Sequence, residues 1–192
     1  MTARHFLSRL FDEPRAWLEF VVVRWPESPS GGVLRRAYWR WRLGCPRDCG
    51  FGRGVVVDSP ALTRVGRNTS FSSETIISAS DSAGIYIGDN VITGPRCLLR
   101  AGNHRIDRLD IPIRDQGHVY QELDYNGRTY SIVIEDDVWL GANVIVLSGA
   151  WIGGGTAVAA GSVVKGRIPP RSVIGRNGIH PRRPRSSAVT PS

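Results

Sequence analysis

The sequence predicts an all-β solenoid preceded by a helical segment, and three observations predict it. Aliphatic residues recur every six positions at Ile134, Leu140, Val146, Ile152, Val158 and Val164, with Pro170 in the same phase. The chain holds 22 glycines and 12 prolines in 192 residues, which is rich in turn formers but lacks a collagen triplet. Apolar residues in the first 50 positions recur instead at helical spacing. Neither a 3.6-residue helix nor a two-residue strand calls for a six-residue lattice, whereas short flat strands joined by turns into stacked coils do.

In chain order, Phe6, Leu7, Leu10, Phe11, Trp17, Leu18, Val21, Val22 and Trp25 form one or two amphipathic helices, with Pro14 as an interruption and Pro26 as the end. After Ser28-Pro29-Ser30-Gly31-Gly32, a second segment sets Leu34, Tyr38, Trp41 and Leu43 among Arg35, Arg36, Arg40 and Arg42. Such helices can cap the open edge of a solenoid or make peripheral membrane contact, and both can hold. Residues 1–50 are therefore a helical extension, 51–175 the repeat, and 176–192 a basic tail. The repeat begins as Val65, Phe71 and Ile77, then Ile87, Thr93 and Leu99. The second position of a unit is small or acidic (Glu135, Gly141, Gly153, Ala159), and the fifth is small or β-branched (Val138, Val144, Ala150, Thr156, Ser162). Two insertions break the lattice, a short one within 79–86 and a long one over 104–131. Stacked coils have no spare backbone freedom, so these excursions are where ligand chemistry is added.

Charge and composition exclude several classes. With 25 Lys and Arg against 17 Asp and Glu the formal charge is +8, and no acidic residue follows Asp137, so an anionic partner is expected at the C-terminal third. The stretch Trp17 to Val23 contains Glu19 and stops at Arg24, short of the ~20 residues of a membrane span. Asp12, Glu13 and Pro14 arrive before a signal-peptide core could form, and three cysteines do not make a disulfide framework. A cytoplasmic protein, peripheral at most at the inner membrane face, is expected. Cys45 and Cys49 lack a second ligand pair, so no metal is expected, and Cys97 reads as a core thiol. No recognised nucleic-acid module organises the basic residues.

Motifs sharpen the reading. Ile87-Gly88-Asp89-Asn90, Asn103-His104-Arg105-Ile106-Asp107, Ile111-Pro112-Ile113, Gln116-Gly117, the run from Val133 to Val144, Ala159-Ala160-Gly161-Ser162-Val163-Val164 and Ile168-Pro169-Pro170 together resemble the hexapeptide-repeat acyltransferases. Within that left-handed parallel β-helix superfamily they resemble the maltose, galactoside and colanic-acid type O-acetyltransferases. The resemblance covers roughly residues 60–175. It implies a triangular coil, a homotrimer, active sites between subunits, acetyl-coenzyme A as donor and a sugar or glycan hydroxyl as acceptor. His104 matches the family's catalytic histidine. A sugar hydroxyl is a poor nucleophile at neutral pH, and an imidazole can take its proton as the oxygen attacks a thioester. Its other ring nitrogen needs an acceptor, either a backbone carbonyl or a carboxylate such as Asp107 or Asp110. Asn103, Asp107 and His118 are candidates for the acceptor side. Trp139, Gly141, Ala142, Ala160, Lys165, Arg182 and Arg183 match or neighbour the cofactor positions. Val164-Lys165-Gly166-Arg167 departs from the family's Val-Thr-Lys-Asp, and Gly175-Arg176-Asn177-Gly178-Ile179 from its Gly-x-Pro-Ala-Lys. N-acyl transfer to an amino sugar, a γ-type carbonic anhydrase and a non-catalytic trimeric scaffold are the alternatives. The carbonic anhydrase suffers from having only His104 and His118 near the coils to supply three zinc ligands.

Overall fold

The computed structural model describes residues 3–175 and 178–182, with the side chains of 3–12 left out. Short strands stack into a three-faced parallel β-helix. The first face runs Gly50–Phe51, Ser70–Phe71, Ile92–Thr93, Trp139–Leu140, Ala157–Val158 and Ser172–Gly175. The second runs Val56–Val57, Ile76–Ser78, Leu98–Arg100, Ile145–Leu147 and Val163–Val164, and the third Thr63–Val65, Ile85–Ile87, Ile132–Ile134, Ala150–Ile152 and Arg167–Ile168. Successive coils lie about 4.8 Å apart, the spacing of hydrogen-bonded strands.

The six-residue lattice is explained by what each position meets. Position one points inward, and Phe71, Ile77, Ile87, Leu99, Ile134, Leu140, Val146, Ile152 and Val158 are all buried. Position five fills the corners from inside, with Val138, Val144, Ala150 and Thr156 buried as well. Position four turns the corner in the left-handed backbone region, at Asn68, Glu74, Asn90, Arg96, Asp137, Asn143, Gly149, Gly155, Gly161 and Arg171. Asn, Asp and Gly tolerate that conformation best. Position two must be small where corners stack: a Cβ on Gly94 would stand 2.5 Å from the Ala142 nitrogen.

Register locates every irregularity. Ile134 pairs with Ile152 at the regular 18-residue spacing. Ile77 pairs with Leu99, 22 residues on, so the expected four-residue insertion lies between the second and third faces. Phe51 pairs with Phe71, 20 residues on. This two-residue insertion, the turn Pro60–Leu62, was not anticipated. Ile152 pairs with Ile168, only 16 residues on, because the corner at Lys165–Gly166 is two residues short. The phase therefore slips there: Ile168 and Ile174 are buried, and Pro170, expected on the lattice, is exposed.

Helix α1 (Ala3–Arg24) continues through Pro14 rather than breaking there, and it ends before Pro26 as expected. Helix α2 (Pro29–Leu43) starts inside the Ser-Pro-Ser-Gly-Gly stretch, because Ser28 caps it by accepting from the Gly31 nitrogen and Pro29 occupies the first turn. Its buried face carries Gly31, Arg35, Tyr38, Trp39 and Leu43, so Trp39 packs inward while Trp41, named above among the segment's apolar residues, is exposed. Trp39 meets Phe51 at 6.1 Å, and Phe51 meets Phe71 at 5.5 Å, which joins the helix to the coil interior. Among the described residues the first coil has no strand below it. Arg35 Nε donates to the Phe51 carbonyl at 3.0 Å, and the Gly54 nitrogen to the Val23 carbonyl at 2.9 Å, filling part of that open edge. At the other end of the first face, Gly178–Pro181 folds back antiparallel on Ser172–Gly175. Among the described residues no helix is long and apolar enough to cross a membrane.

Candidate active site

After Leu98–Arg100 the chain turns the corner at Ala101 and Gly102 and leaves the coil. Asn103–His104 then pairs antiparallel with His118–Val119, with His104 directly opposite His118. This ribbon lifts both imidazoles out of the coil, and both are solvent-exposed. Their ring centroids are 4.6 Å apart with planes tilted by 40°. His118 Nδ1 lies 3.8 Å from Oδ2 of Asp81, a residue of the shorter insertion.

The loop between the two strands is tied to itself. The Arg105 nitrogen donates to the Gly117 carbonyl at 3.1 Å, and Gln116 Nε2 donates to the Arg108 carbonyl at 2.8 Å. Asp107 accepts two hydrogen bonds from Arg105, at 3.0 and 2.7 Å, and this guanidinium holds its carboxyl below the usual carboxylate range. Asp110 is engaged in the same way by Arg108. Asp107 and Asp110, two of the groups named beside a backbone carbonyl for orienting His104, are thus each engaged by an arginine two residues away. Asp81, which sequence reasoning missed, is the carboxylate that reaches the histidine pair.

The excursion then crosses back over the same corner, where the Gln121 nitrogen donates to Ser148 Oγ at 2.8 Å. It forms the hairpin Leu123–Tyr125 and Arg128–Tyr130, turned by Asn126 and Gly127 with positive φ at both positions. The hairpin lies over the third face. Tyr125 meets Tyr86 at 4.7 Å and Trp151 at 5.3 Å, and Arg167 stacks 4.0 Å over Trp151. Burial and the neighbouring Tyr125 push the Tyr86 hydroxyl up to about 12. The sequence signal for this hairpin was the Asn-Gly pair.

The residues expected on the donor side fall in three places. Trp139 stands on the outer surface of the first face, 54% exposed. It lines an open cavity of about 690 Å³ with Asn90, Ile92, Asp137, Arg171 and Arg182. Arg182 is fixed there by donating to the Gly155 carbonyl at 2.9 Å, with Asp137 3.6 Å away. Gly141, Ala142 and Ala160 line the corner between the first and second faces, where a Cβ on Gly141 would meet the Ala160 nitrogen at 2.6 Å. Lys165 is exposed at the corner between the second and third faces. That is the corner from which His104 departs, two coils earlier, a rise of about 10 Å. Arg183 lies outside the described residues. Within one chain His104 and Trp139 occupy different parts of the triangle.

The cysteines are buried. Cys97 Sγ donates to the Gly141 carbonyl at 3.2 Å, and burial pushes its thiol up. Cys45 is pushed up by the hydrogen bond it shares with Cys49 and by burial. Among the described residues no group of three or more His, Cys, Asp or Glu is placed to hold a metal ion.

Comparison with known proteins agrees with this fold. The family described as bacterial transferase hexapeptide (six repeats) matches residues 131–166. The chain is 33% identical over 128 residues to the galactoside O-acetyltransferase of Escherichia coli K12, covering 64% of this chain and 57% of that protein. It therefore spans little more than half the length of this curated relative. Among solved structures it is similar to a maltose O-acetyltransferase from Clostridium difficile 630 (26% identity, TM-score 0.67, 87% of this chain and 82% of that one). It is also similar to a hexapeptide-repeat acetyltransferase from Vibrio cholerae solved with acetyl-coenzyme A (27% identity, TM-score 0.60, 88% and 83%).

Proposed function

We propose that this chain, a parallel β-helix whose residues 131–166 match bacterial transferase hexapeptide repeats, moves an acetyl group from acetyl-coenzyme A to a sugar hydroxyl, with His104 as general base. The observation that carries the reading is the exposed His104 imidazole, raised on a short ribbon where the regular coil is interrupted. In the reaction the imidazole takes the hydroxyl proton as the oxygen attacks the thioester carbonyl. The tetrahedral adduct then collapses, the carbon–sulfur bond breaks, and the protonated imidazole returns its proton to the departing thiolate. Asn103 beside it supplies an amide for orienting the acceptor.

The donor side is supported by the cavity on the first face. Coenzyme A carries an aromatic base and three phosphates, and Trp139 with Arg171 and Arg182 offers a ring surface and two guanidinium groups. Lys165 adds a cation at the corner shared with His104. Trp139→Ala and Arg182→Ala are each expected to weaken acetyl-coenzyme A binding about tenfold by isothermal titration, equivalent to about 1.4 kcal/mol. Unchanged affinity in both would contradict this placement of the donor.

A homotrimer follows from the same reading, since His104 and Trp139 lie apart within one chain and meet only if neighbouring coils stand face to face. Two faces support it. Ile92, Trp139 and Val173 expose an apolar column on the first face, and Ile76 and Val163 expose one on the second, while the hairpin covers the third. Sedimentation is expected to report three chains per particle, and a monomer would contradict the assembly. Exposed Trp17, Phe20 and Trp41 support the further reading that the N-terminal helices approach a membrane surface carrying a lipid-linked acceptor.

A further inference from the structure

We propose that His118, with Asp81 beside it, is a positioning residue that fixes the orientation of the His104 imidazole; the inference deepens the acetyl-transfer reading and rests on it. Directly opposed residues of an antiparallel pair project to the same face, and His104 and His118 are such a pair. Their rings meet as a tilted stack with centroids 4.6 Å apart, within the range of offset aromatic contacts. Behind this stack Asp81 Oδ2 stands 3.8 Å from His118 Nδ1. Two insertions far apart in sequence therefore converge on one imidazole.

The approach of the two insertions is built into the corner. A Cβ on Gly102 would stand 2.9 Å from the Ser80 carbonyl oxygen and 3.4 Å from that of Asp81, so glycine lets the shorter loop lie against the root of the ribbon. That loop is anchored from the coil below, where Asp58 accepts from the Ala79 nitrogen at 3.0 Å and from the Ser78 hydroxyl at 2.5 Å. Arg100 donates to Ser78 from the coil above. In the loop that follows His104, Asp107 and Asp110 are committed to Arg105 and Arg108, and Asp115 lies 3.8 Å from Arg114. Ring packing against His118 is what restrains His104. An exposed imidazole otherwise samples several side-chain rotamers, and a base displaced by about 1 Å from its alignment loses on the order of a hundredfold in rate.

The test compares His118→Ala with His118→Phe in the full chain, reading kcat and KM for acetyl-coenzyme A and the ring-proton resonance of His104 by NMR. The Ala variant is expected to lower kcat by between about tenfold and a hundredfold with KM for acetyl-coenzyme A unchanged. The Phe variant, which keeps a ring against His104, is expected to recover most of that loss. The His104 resonance should lose its ring-current shift in the Ala variant and keep it in the Phe variant. Asp81→Asn should fall between wild type and His118→Ala. A kcat unchanged by His118→Ala, or a Phe variant as slow as the Ala variant, would overturn the positioning role. If the wild type transfers no acetyl group, the acetyl-transfer reading fails, and the resonance alone decides the positioning: a lost shift sustains it and an unmoved signal overturns it.

Discussion

His104→Ala is expected to lower acetyl transfer by at least about a hundredfold, with acetyl-coenzyme A affinity preserved. The magnitude is the lower end of what a positioned general base contributes, and the selectivity follows from where the residue sits. His104 is solvent-exposed on a ribbon outside the coil, so its loss leaves no cavity in the core and does not touch the cavity shared by Trp139 and Arg182. Stopped assays of thiol release and titration of the donor measure the two quantities separately. A rate within about threefold of wild type would remove His104 from the chemistry.

The second large effect concerns stability. Trp39→Ala is expected to cost about 3–5 kcal/mol, the range for emptying a buried aromatic site. Trp39 is fully buried between α2 and the first coil and packs on Phe51. The same helix face carries Arg35, also fully buried, whose guanidinium donates to the Phe51 and Trp25 carbonyls and to Glu27. Thermal denaturation should fall by roughly 6–20 °C, taking about 2–4 °C per kcal/mol for a domain of this size. Trp39→Phe should cost much less, because it keeps a ring against Phe51 and removes an indole N–H that has no hydrogen-bond partner. An unchanged melting temperature in Trp39→Ala would mean that α2 does not hold the end of the coil.

The lattice was legible because position one is chosen by burial alone, and burial selects aliphatic residues with little regard for context. Corner chemistry was also present in the sequence at position four, where Asn90, Asn143, Gly155 and Gly161 satisfy a left-handed backbone. Glu74, Arg96 and Arg171 occupy the same conformation and hide that rule. The short corner at Lys165–Gly166 escaped because Pro170 happened to keep the six-residue count while Ile168 took the inward place. Spacing alone also could not choose between Trp39 and Trp41, since either lies near the apolar face of a short helix.

The site was legible in part for a similar reason. His104 stands where the coil breaks, and a break in a periodic pattern is visible. His118 and Asp81 come from a different strand and a different insertion, and pairing between them leaves no periodic trace. Arg105 and Arg108 capture Asp107 and Asp110 through contacts two residues apart, which spacing to His104 does not report. The hairpin over the third face was not read from the sequence, although Asn126-Gly127 is a turn signal for it.

Incubating the full chain with acetyl-coenzyme A labelled in its acetyl group, together with monosaccharides, amino sugars and lipid-linked sugars, tests the central claim most directly. Mass spectrometry of the products should find the label as an ester on a sugar hydroxyl, with one thiol released for each acetyl moved. Label recovered as an amide, or on no sugar at all, would contradict it.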